Sequence, residues 1–534
     1  MLSSLKNYVK INYHTISVFI IIILSFLISI FKSIHNIDPL HFSFLFFDAN
    51  KLIQGLIPFK DIQIVYGILT TLIHSASILI IGNFLLSISI ITALFYALTF
   101  YFYYKILCNF NLKKNYILLV ILIIFIIHPA ILIPWSDYLA YFFLVLSIFC
   151  YSKEKKTYYD SFLVGFLLAL SVMCRFTFVL PVSVFIFLIL LFEDRNKNRF
   201  LILFGYLLIL LIFFLYLKIN NLYEYWYISC CKAHSIYQYK EWHPFVREEY
   251  GYLNFFLILD TLIINLLSSV VNLDFKWFFY FLLLIFNICY LLLKIFSINL
   301  LTAKEKKLCV ISFFSILMFS NAVHFPAIFR LSTGSIIGLV PISIFFEKLI
   351  LKKKLFINIV YIFLTLLIII FIIKYPFRMF SAYKFITHDN VVLSQPRVGL
   401  LKFQKFPNEV SFFYEKFEKE INKLHSKYNI TYNYNFTNNS LLPLISKTQS
   451  YQFSSFHGFD GYFGVGVWEK AYEYRPDLSL SAKLKNKSDD IIIFQNVKNE
   501  SEIFSDDFFI FSKLNYPLHK ENKILLILLS KKLK

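Results

Sequence analysis

The chain has 534 residues, of which 58% are hydrophobic, 20% aromatic and only 16% charged, and its mean hydropathy is +0.67. A soluble globular domain carries roughly 45–50% apolar and about 25% charged residues, so an ordinary soluble, disordered or fibrous protein is excluded. Lys and Arg number 52 against 32 Asp and Glu, a net +20. In a soluble chain that excess would suggest nucleic acid; here the bases cluster between apolar blocks and read as membrane topology, with no nucleic-acid partner expected.

About 20 apolar residues cross the ~30 Å hydrocarbon core of a bilayer. Apolar blocks lie near 16–31, 83–104, 116–133, 138–151, 160–174, 177–192, 200–217, 277–297, 308–322, 335–347 and 355–373. They predict a polytopic α-helical membrane protein with about 11 transmembrane helices. No small-residue cleavage site follows the first block, so it is expected to be an anchor rather than a removed signal peptide.

Orientation follows from the bases. With a cytoplasmic N-terminus, the cytoplasmic segments hold Lys6 and Lys10; Lys105, Lys113 and Lys114; Lys153, Lys155 and Lys156; Arg195, Lys197 and Arg199; Lys304, Lys306 and Lys307; and Lys348 with Lys352–Lys354. The opposite loops hold few, and 128–137 holds none. The positive-inside rule then predicts a cell-membrane protein with its N-terminus inside and its C-terminal region outside. Parity requires the apolar stretches 67–81 and 253–273 to lie at, or dip into, the outer interface rather than span.

Two domains follow: a transmembrane module over 1–374 with outer loops 32–66 and 218–276, and an extracytoplasmic α/β domain over 375–534. In the latter, Val391–Leu393, Ile491–Phe494 and Ile524–Leu529 predict strands, and Glu409–Tyr428 predicts an amphipathic helix with Val410, Phe413, Phe417, Ile421 and Leu424 on one face. The seven cysteines all precede residue 310 and form no CxxC pair, so no disulfide framework is indicated. Vicinal Cys230 and Cys231 read as two small apolar residues or as a redox pair.

Ionisable residues near or within spans are functional candidates because burying them in lipid is costly. The densest polar group is the first outer loop, His41–Gly67. Asp48 follows the apolar run Phe42–Phe47 at an expected helix start, where a carboxylate either caps the helix or, with a raised pKa, serves as a general base on a hydroxyl. Asp61 follows the turn-like Gly55-Leu-Ile-Pro58-Phe-Lys60 and reads as a loop acid or a substrate contact. Arg175 at the outer end of the fifth span suits a phosphate, or snorkels to headgroups. His324 and Arg330 flank Pro326 with the same two alternatives. Trp135 and Asp137 border the fourth span, near His128-Pro129 at the end of the third, with helix capping as the plain alternative for Asp137. Tyr223–Tyr250 is dense in aromatics and holds His234, His243, Arg247, Glu248 and Glu249. Its histidine spacing does not match a zinc site, and no metal or cofactor is expected. Ser454, His457 and Asp460 lie too close in sequence for a rigid hydrolase triad. No phosphate-binding glycine loop is present, which leaves nucleotide binding unsupported.

The series Asp48, Gly55-Leu-Ile-Pro58-Phe-Lys60-Asp61, Tyr66-Gly67 and the apolar helix Ile68–Ile81 resembles the first outer loop of the GT-C glycosyltransferases, the class that includes protein O-mannosyltransferases and lipid A aminoarabinose transferases. Pro134-Trp-Ser-Asp-Tyr138, Gly165–Ser171 with Arg175-Phe-Thr, and Phe325-Pro326 continue the likeness over roughly 15–350. Asp48-Ala49 stands where the family often has Asp-Glu, and Gly67-Ile68 where it has Gly-Pro. The resemblance implies an inverting transferase that moves a sugar from a polyprenyl-phosphate carrier to an extracytoplasmic glycan, lipid or protein hydroxyl. It makes Asp48 the counterpart of the catalytic base, with Arg175, His324 and Arg330 as candidates for the donor phosphate and Asp61, Tyr66, Trp135 and Asp137 as substrate contacts. The competing readings are a polysaccharide polymerase or ligase on lipid-linked glycans, and a transporter or flippase. A transporter is expected to show internal repeats and midplane charges, and the sequence shows no repeat.

Overall fold

The computed structural model describes residues 2–35, 41–62, 64, 66–127, 134–193, 195–227, 275–295, 301–322, 328–350, 392–437, 439–450, 490–499, 508–518 and 523–533. Most of the first 350 residues form helices: α1 Leu2–His35, α2 His41–Ile53, α3 Ile68–Ile81, α4 Leu86–Asn109, α5 Lys114–Ile127, α6 Ser136–Ser152, α7 Tyr158–Cys174, α8 Val179–Phe192, α9 Asn196–Ile219, α10 Tyr223–Tyr227, α11 Phe275–Ile295, α12 Ala303–Leu317, α13 Ile328–Ser332 and α14 Leu339–Ile350. Among the described residues four helices are long and apolar enough to cross a membrane, over His14–His35, Leu86–Asn109, Asn196–Ile219 and Phe278–Ile295. Every other apolar block except 355–373, which lies outside the described residues, contains shorter helix. Segment 253–273 also lies outside them.

The bundle is held by backbone approach as much as by side chains. A Cβ at Gly165 of α7 would sit 1.8 Å from the Ile202 carbonyl oxygen of α9, and one at Gly205 of α9 would sit 2.3 Å from the Phe162 carbonyl oxygen. Close crossing through small residues is how helices associate where lipid removes the hydrophobic drive. Facing outward, Leu180, Phe187, Leu211 and Ile219 are exposed, the reverse of a soluble surface.

The connections sort into two ends. At one end, Lys153 pairs with Asp160 at 2.5 Å and Lys156 pairs with Glu193. Lys294 pairs with Glu305 at 2.8 Å, and Lys307 Nζ donates to the Lys153 carbonyl at 2.7 Å. Capping boxes Thr157/Asp160 and Thr302/Glu305 start α7 and α12 there. The opposite end gathers Trp135–Asp137 before and within the first turn of α6, and Arg175 after α7. Helix α3 touches this second end at both its termini. Thr70 Oγ1 donates to the Cys174 carbonyl at 2.9 Å, and Ser77 Oγ donates to the Ser87 carbonyl at 2.6 Å. Both bonds are made to residues at that second end.

The C-terminal domain is an α/β unit on that same end. Its five-stranded sheet has the order β4-β3-β5-β7-β6, with β3 Tyr432–Asn435, β4 Gln449–Ser450, β5 Ile491–Val497, β6 Phe508–Asn515 and β7 Ile524–Ser530. Strand β3 runs parallel to β4 and β5, whereas β7 is antiparallel to β5 and β6. A small antiparallel pair, β1 Leu393–Ser394 with β2 Phe406–Pro407, precedes helix α15, Asn408–His425. Val410, Phe413, Phe417, Ile421 and Leu424 are all buried, and the Phe417 ring meets Phe494 of β5 edge-on at 5.3 Å. The domain is fastened to the bundle by backbone bonds from Lys405 N–H to Ile34 O and from Leu85 N–H to Leu400 O, both 2.9 Å. Helix α16, Leu441–Ile445, packs on α2. Residues Ser454, His457 and Asp460 lie outside the described residues.

Candidate functional site

The site begins with α2. Asp48 does not stand at a helix start as expected: α2 starts at His41, so the carboxylate projects from the helix interior. The physical reason is that the run Phe42–Phe47 is itself helical and buried on every side, which a helix wrapped by protein tolerates. Capping is thereby removed as an explanation. Asp48 is only 5% exposed, and its Oδ1 has no hydrogen-bond partner among the described residues. Burial raises its pKa well above the ordinary aspartate value, and Lys51, one turn on and also buried, pulls it partly back.

Gly67 brings the next segment in. Its α-carbon packs so close to α7 that a Cβ would lie 2.3 Å from the Met173 carbonyl oxygen. Phe176 N–H then donates to the Tyr66 carbonyl at 3.0 Å. Tyr66 lies against Trp135 with ring centroids 4.8 Å apart, and Phe44 completes the group at 5.6 Å from Tyr66 and 6.0 Å from Trp135. The Tyr66 ring also lies 4.7 Å from the Arg175 guanidinium carbon, a cation–π contact. Burial holds the Tyr66 hydroxyl proton tightly; the charges of Arg175 and Arg330 loosen it, and those of Asp137 and Asp48 tighten it. One hydroxyl thus senses all four charged groups.

Arg175 ends α7 with extended backbone and is 1% exposed. It does not reach out towards headgroups. Its Nη1 lies 3.1 Å from Asp137 Oδ2 and donates to Ser136 Oγ at 3.1 Å, and Nε donates to Thr177 Oγ1 at 3.1 Å. Asp137 is not a cap either: Trp135 occupies the N-cap of α6 without a side-chain bond, and the Asp137 carboxylate serves the arginine and Asn321, whose Nδ2 donates to Oδ1 at 3.1 Å. A buried ion pair of this kind stands only when its remaining valences are bonded.

Six of the residues singled out from the sequence therefore converge: Asp48, Tyr66, Trp135, Asp137, Arg175 and Arg330. Asp61 does not join them. Its Oδ2 accepts from Ile57 N–H at 2.9 Å, and its own N–H donates to Ile57 O at 2.8 Å. It clasps the turn that holds Phe59 at φ 67°, a left-handed conformation unusual for a bulky residue. His324, Pro326, His128, His234, His243, Arg247, Glu248, Glu249, Cys230 and Cys231 lie outside the described residues. The sequence reading missed Lys51, Ser136, Thr177 and Asn321. The signal for Asn321 was the polar pair Ser320-Asn321 inside the segment Met318–Ala322. Among the described residues no cluster of three or more His, Cys, Asp or Glu could hold a metal ion.

The two acids are chemically unlike. Asp137 is engaged by its neighbours: Oδ1 accepts from Asn321, and Oδ2 lies in ion-pair contact with the Arg175 guanidinium. Asp48 has a proton affinity raised by burial and an oxygen with no hydrogen-bond partner among the described residues, the properties of a general-base candidate. A helical bundle with apolar outer faces and a recessed cation–carboxylate cluster under an α/β domain is the architecture these observations define. The chain matches no known family model and no curated protein.

Proposed function

We propose that this chain is an integral-membrane glycosyltransferase of the GT-C type, which moves a sugar from a polyprenyl-phosphate donor to an acceptor hydroxyl. The lysine-rich end faces the cytoplasm, and the Asp48 end with the C-terminal domain faces outward. The observation that carries the reading is Asp48, a buried carboxylate with one oxygen that has no hydrogen-bond partner among the described residues, whose charge and those of Arg175 and Arg330 all reach the Tyr66 hydroxyl. In the proposed reaction the acceptor hydroxyl gives its proton to Asp48 as its oxygen attacks the anomeric carbon. The bond to the carrier phosphate breaks with inversion, and the released phosphate anion is met by Arg175 and Arg330. A fork of guanidinium donors suits that developing charge better than an ammonium would.

The paired ionisable groups named above lie at the two ends of the bundle rather than at midplane, which favours an enzyme over a transporter. The test is incubation of the purified protein with a panel of polyprenyl-phosphate sugars, scoring release of the lipid phosphate. Wild type is expected to release it from at least one donor. Asp48→Asn is expected to lose about 10²–10⁴-fold, the usual share of a general base. Undiminished release by Asp48→Asn, at equal protein level, contradicts the assignment of the base.

A further inference from the structure

Three hydrogen bonds and one ion-pair contact around Arg175 form a closed circuit. Arg175 Nε donates to Thr177 Oγ1 at 3.1 Å, and the Thr177 hydroxyl donates to Asn321 Oδ1 at 3.0 Å. Asn321 Nδ2 donates to Asp137 Oδ1 at 3.1 Å, and Asp137 Oδ2 returns to Arg175 Nη1 at 3.1 Å. The sense of the circuit is forced. A guanidinium only donates and an ionised carboxylate only accepts, so the hydroxyl and the amide must each accept on one side and donate on the other. That also fixes which way the Asn321 amide points. Arg175, Asp137 and Asn321 are all buried, at 1%, 0% and 2% exposure.

An arginine–aspartate pair needs neither Thr177 nor Asn321 for neutrality. What the two add is direction. Thr177 sits in the short 3-10 turn Phe176–Phe178 directly after Arg175, and its branched Cβ restricts its own rotamer. Asn321 comes from a second 3-10 segment, Met318–Ala322, and its Nδ2 also lies 3.4 Å from the backbone carbonyl of Arg330. The circuit thereby ties together α6, the α7–α8 junction and the chain that carries the second arginine. It engages Nε and Nη1 of Arg175, Tyr66 covers one face, and Nη2 makes no hydrogen bond among the described residues.

We propose that Thr177 and Asn321 are positioning residues, which lock the Arg175 guanidinium so that its Nη2 edge meets a phosphate anion held between Arg175 and Arg330. Identification of that anion as the carrier's lipid phosphate rests on the proposed function; the locking of the arginine does not. An arginine side chain carries about 2 kcal/mol of rotamer entropy, and a preset fork loses less of it on binding.

The experiment measures equilibrium binding of a polyprenyl phosphate, and separately of inorganic phosphate, to the full-length protein in nanodiscs. Thr177→Val keeps the shape and removes the hydroxyl; Thr177→Ser keeps the hydroxyl. Thr177→Val is expected to weaken polyprenyl-phosphate binding about tenfold, the effect of roughly one charge-assisted hydrogen bond. Thr177→Ser should stay within about twofold of wild type. In a transfer assay the same loss should fall on the donor KM and leave kcat nearly unchanged. Should Thr177→Val fail to fold, Thr177→Cys, with its weak thiol donor, reads the same quantity and should fall between wild type and tenfold weaker.

Wild-type affinity in both Thr177→Val and Thr177→Cys overturns the inference, as does a wild type that binds neither phosphate. Inorganic phosphate bound as tightly as the lipid phosphate overturns the lipid source. Binding that responds to Thr177 in a protein that transfers no sugar upholds the locking and sinks the transferase reading. Transfer that needs Asp48 but ignores Thr177 does the reverse.

Discussion

Helices α6 and α7 run antiparallel and carry an ion pair at each end. At one, Lys153 just beyond α6 meets Asp160 in the first turn of α7; at the other, Asp137 in the first turn of α6 meets Arg175 just beyond α7. The lysine side chain is 34% exposed and its partner already belongs to a capping box, whereas the arginine and Asp137 are sealed from solvent. The first arrangement satisfies a helix terminus and places positive charge at a polar boundary. The second holds a charge where water cannot screen it, with the fork oriented by three further side chains. The same pair of helices thus carries one ion pair that serves the fold and one that, on the proposed reading, is set up to meet a ligand.

Breaking the two pairs in parallel is the strongest test of that contrast. Asp137→Asn leaves the Arg175 charge buried without its counter-ion, and about 3–5 kcal/mol of stability should be lost. Lys153→Met removes a half-exposed partner and should cost no more than about 1 kcal/mol. Thermal unfolding in one detergent, compared between the variants, reads the difference; equal losses would erase the distinction. A smaller effect sharpens it from a third position. Asp61→Ala removes the clasp on the Ile57–Asp61 turn and should lower stability by about 1 kcal/mol, with transfer and phosphate binding unchanged. Loss of transfer in a folded Asp61→Ala protein would return Asp61 to the site.

Much of this was legible in the chain itself. The apolar blocks located the helices, and the clustered lysines located one end of the bundle, because hydropathy and charge are properties of single residues in a row. The Asp48, Tyr66, Trp135, Asp137, Arg175 and Arg330 candidates stood out as polar groups where lipid makes them costly, and they do converge. What could not be read was who bonds whom. Arg175 beside apolar sequence looked equally like a headgroup contact, since its partners come from 38 residues upstream in Asp137 and, through Thr177, from Asn321, 144 residues downstream of that threonine. Asp48 was misjudged as a helix start because Phe42–Phe47 has no helical periodicity to read when every face is buried. In the C-terminal domain the predicted strands at 491 and 524 and the amphipathic helix are present. Strand β6, by contrast, has a bulge between Ile510 and Ser512 that interrupts the alternation a sequence pattern relies on.

The raised proton affinity of Asp48 also has a sign in stability. Between the ordinary aspartate pKa and the raised folded value the native state binds more protons than the unfolded one, so stability should fall as pH rises through that window. Asp48→Asn should flatten this slope, and thermal melts from pH ~4 upward would show it.

The most direct measurement is the pH dependence of kcat/KM for sugar transfer in wild type and Lys51→Met. If Asp48 is the base, the acid limb lies above the ordinary aspartate range and moves to higher pH when the neighbouring Lys51 charge is removed, while Lys51→Arg leaves it in place. A limb that does not move with Lys51, or one that persists in Asp48→Asn, contradicts the account.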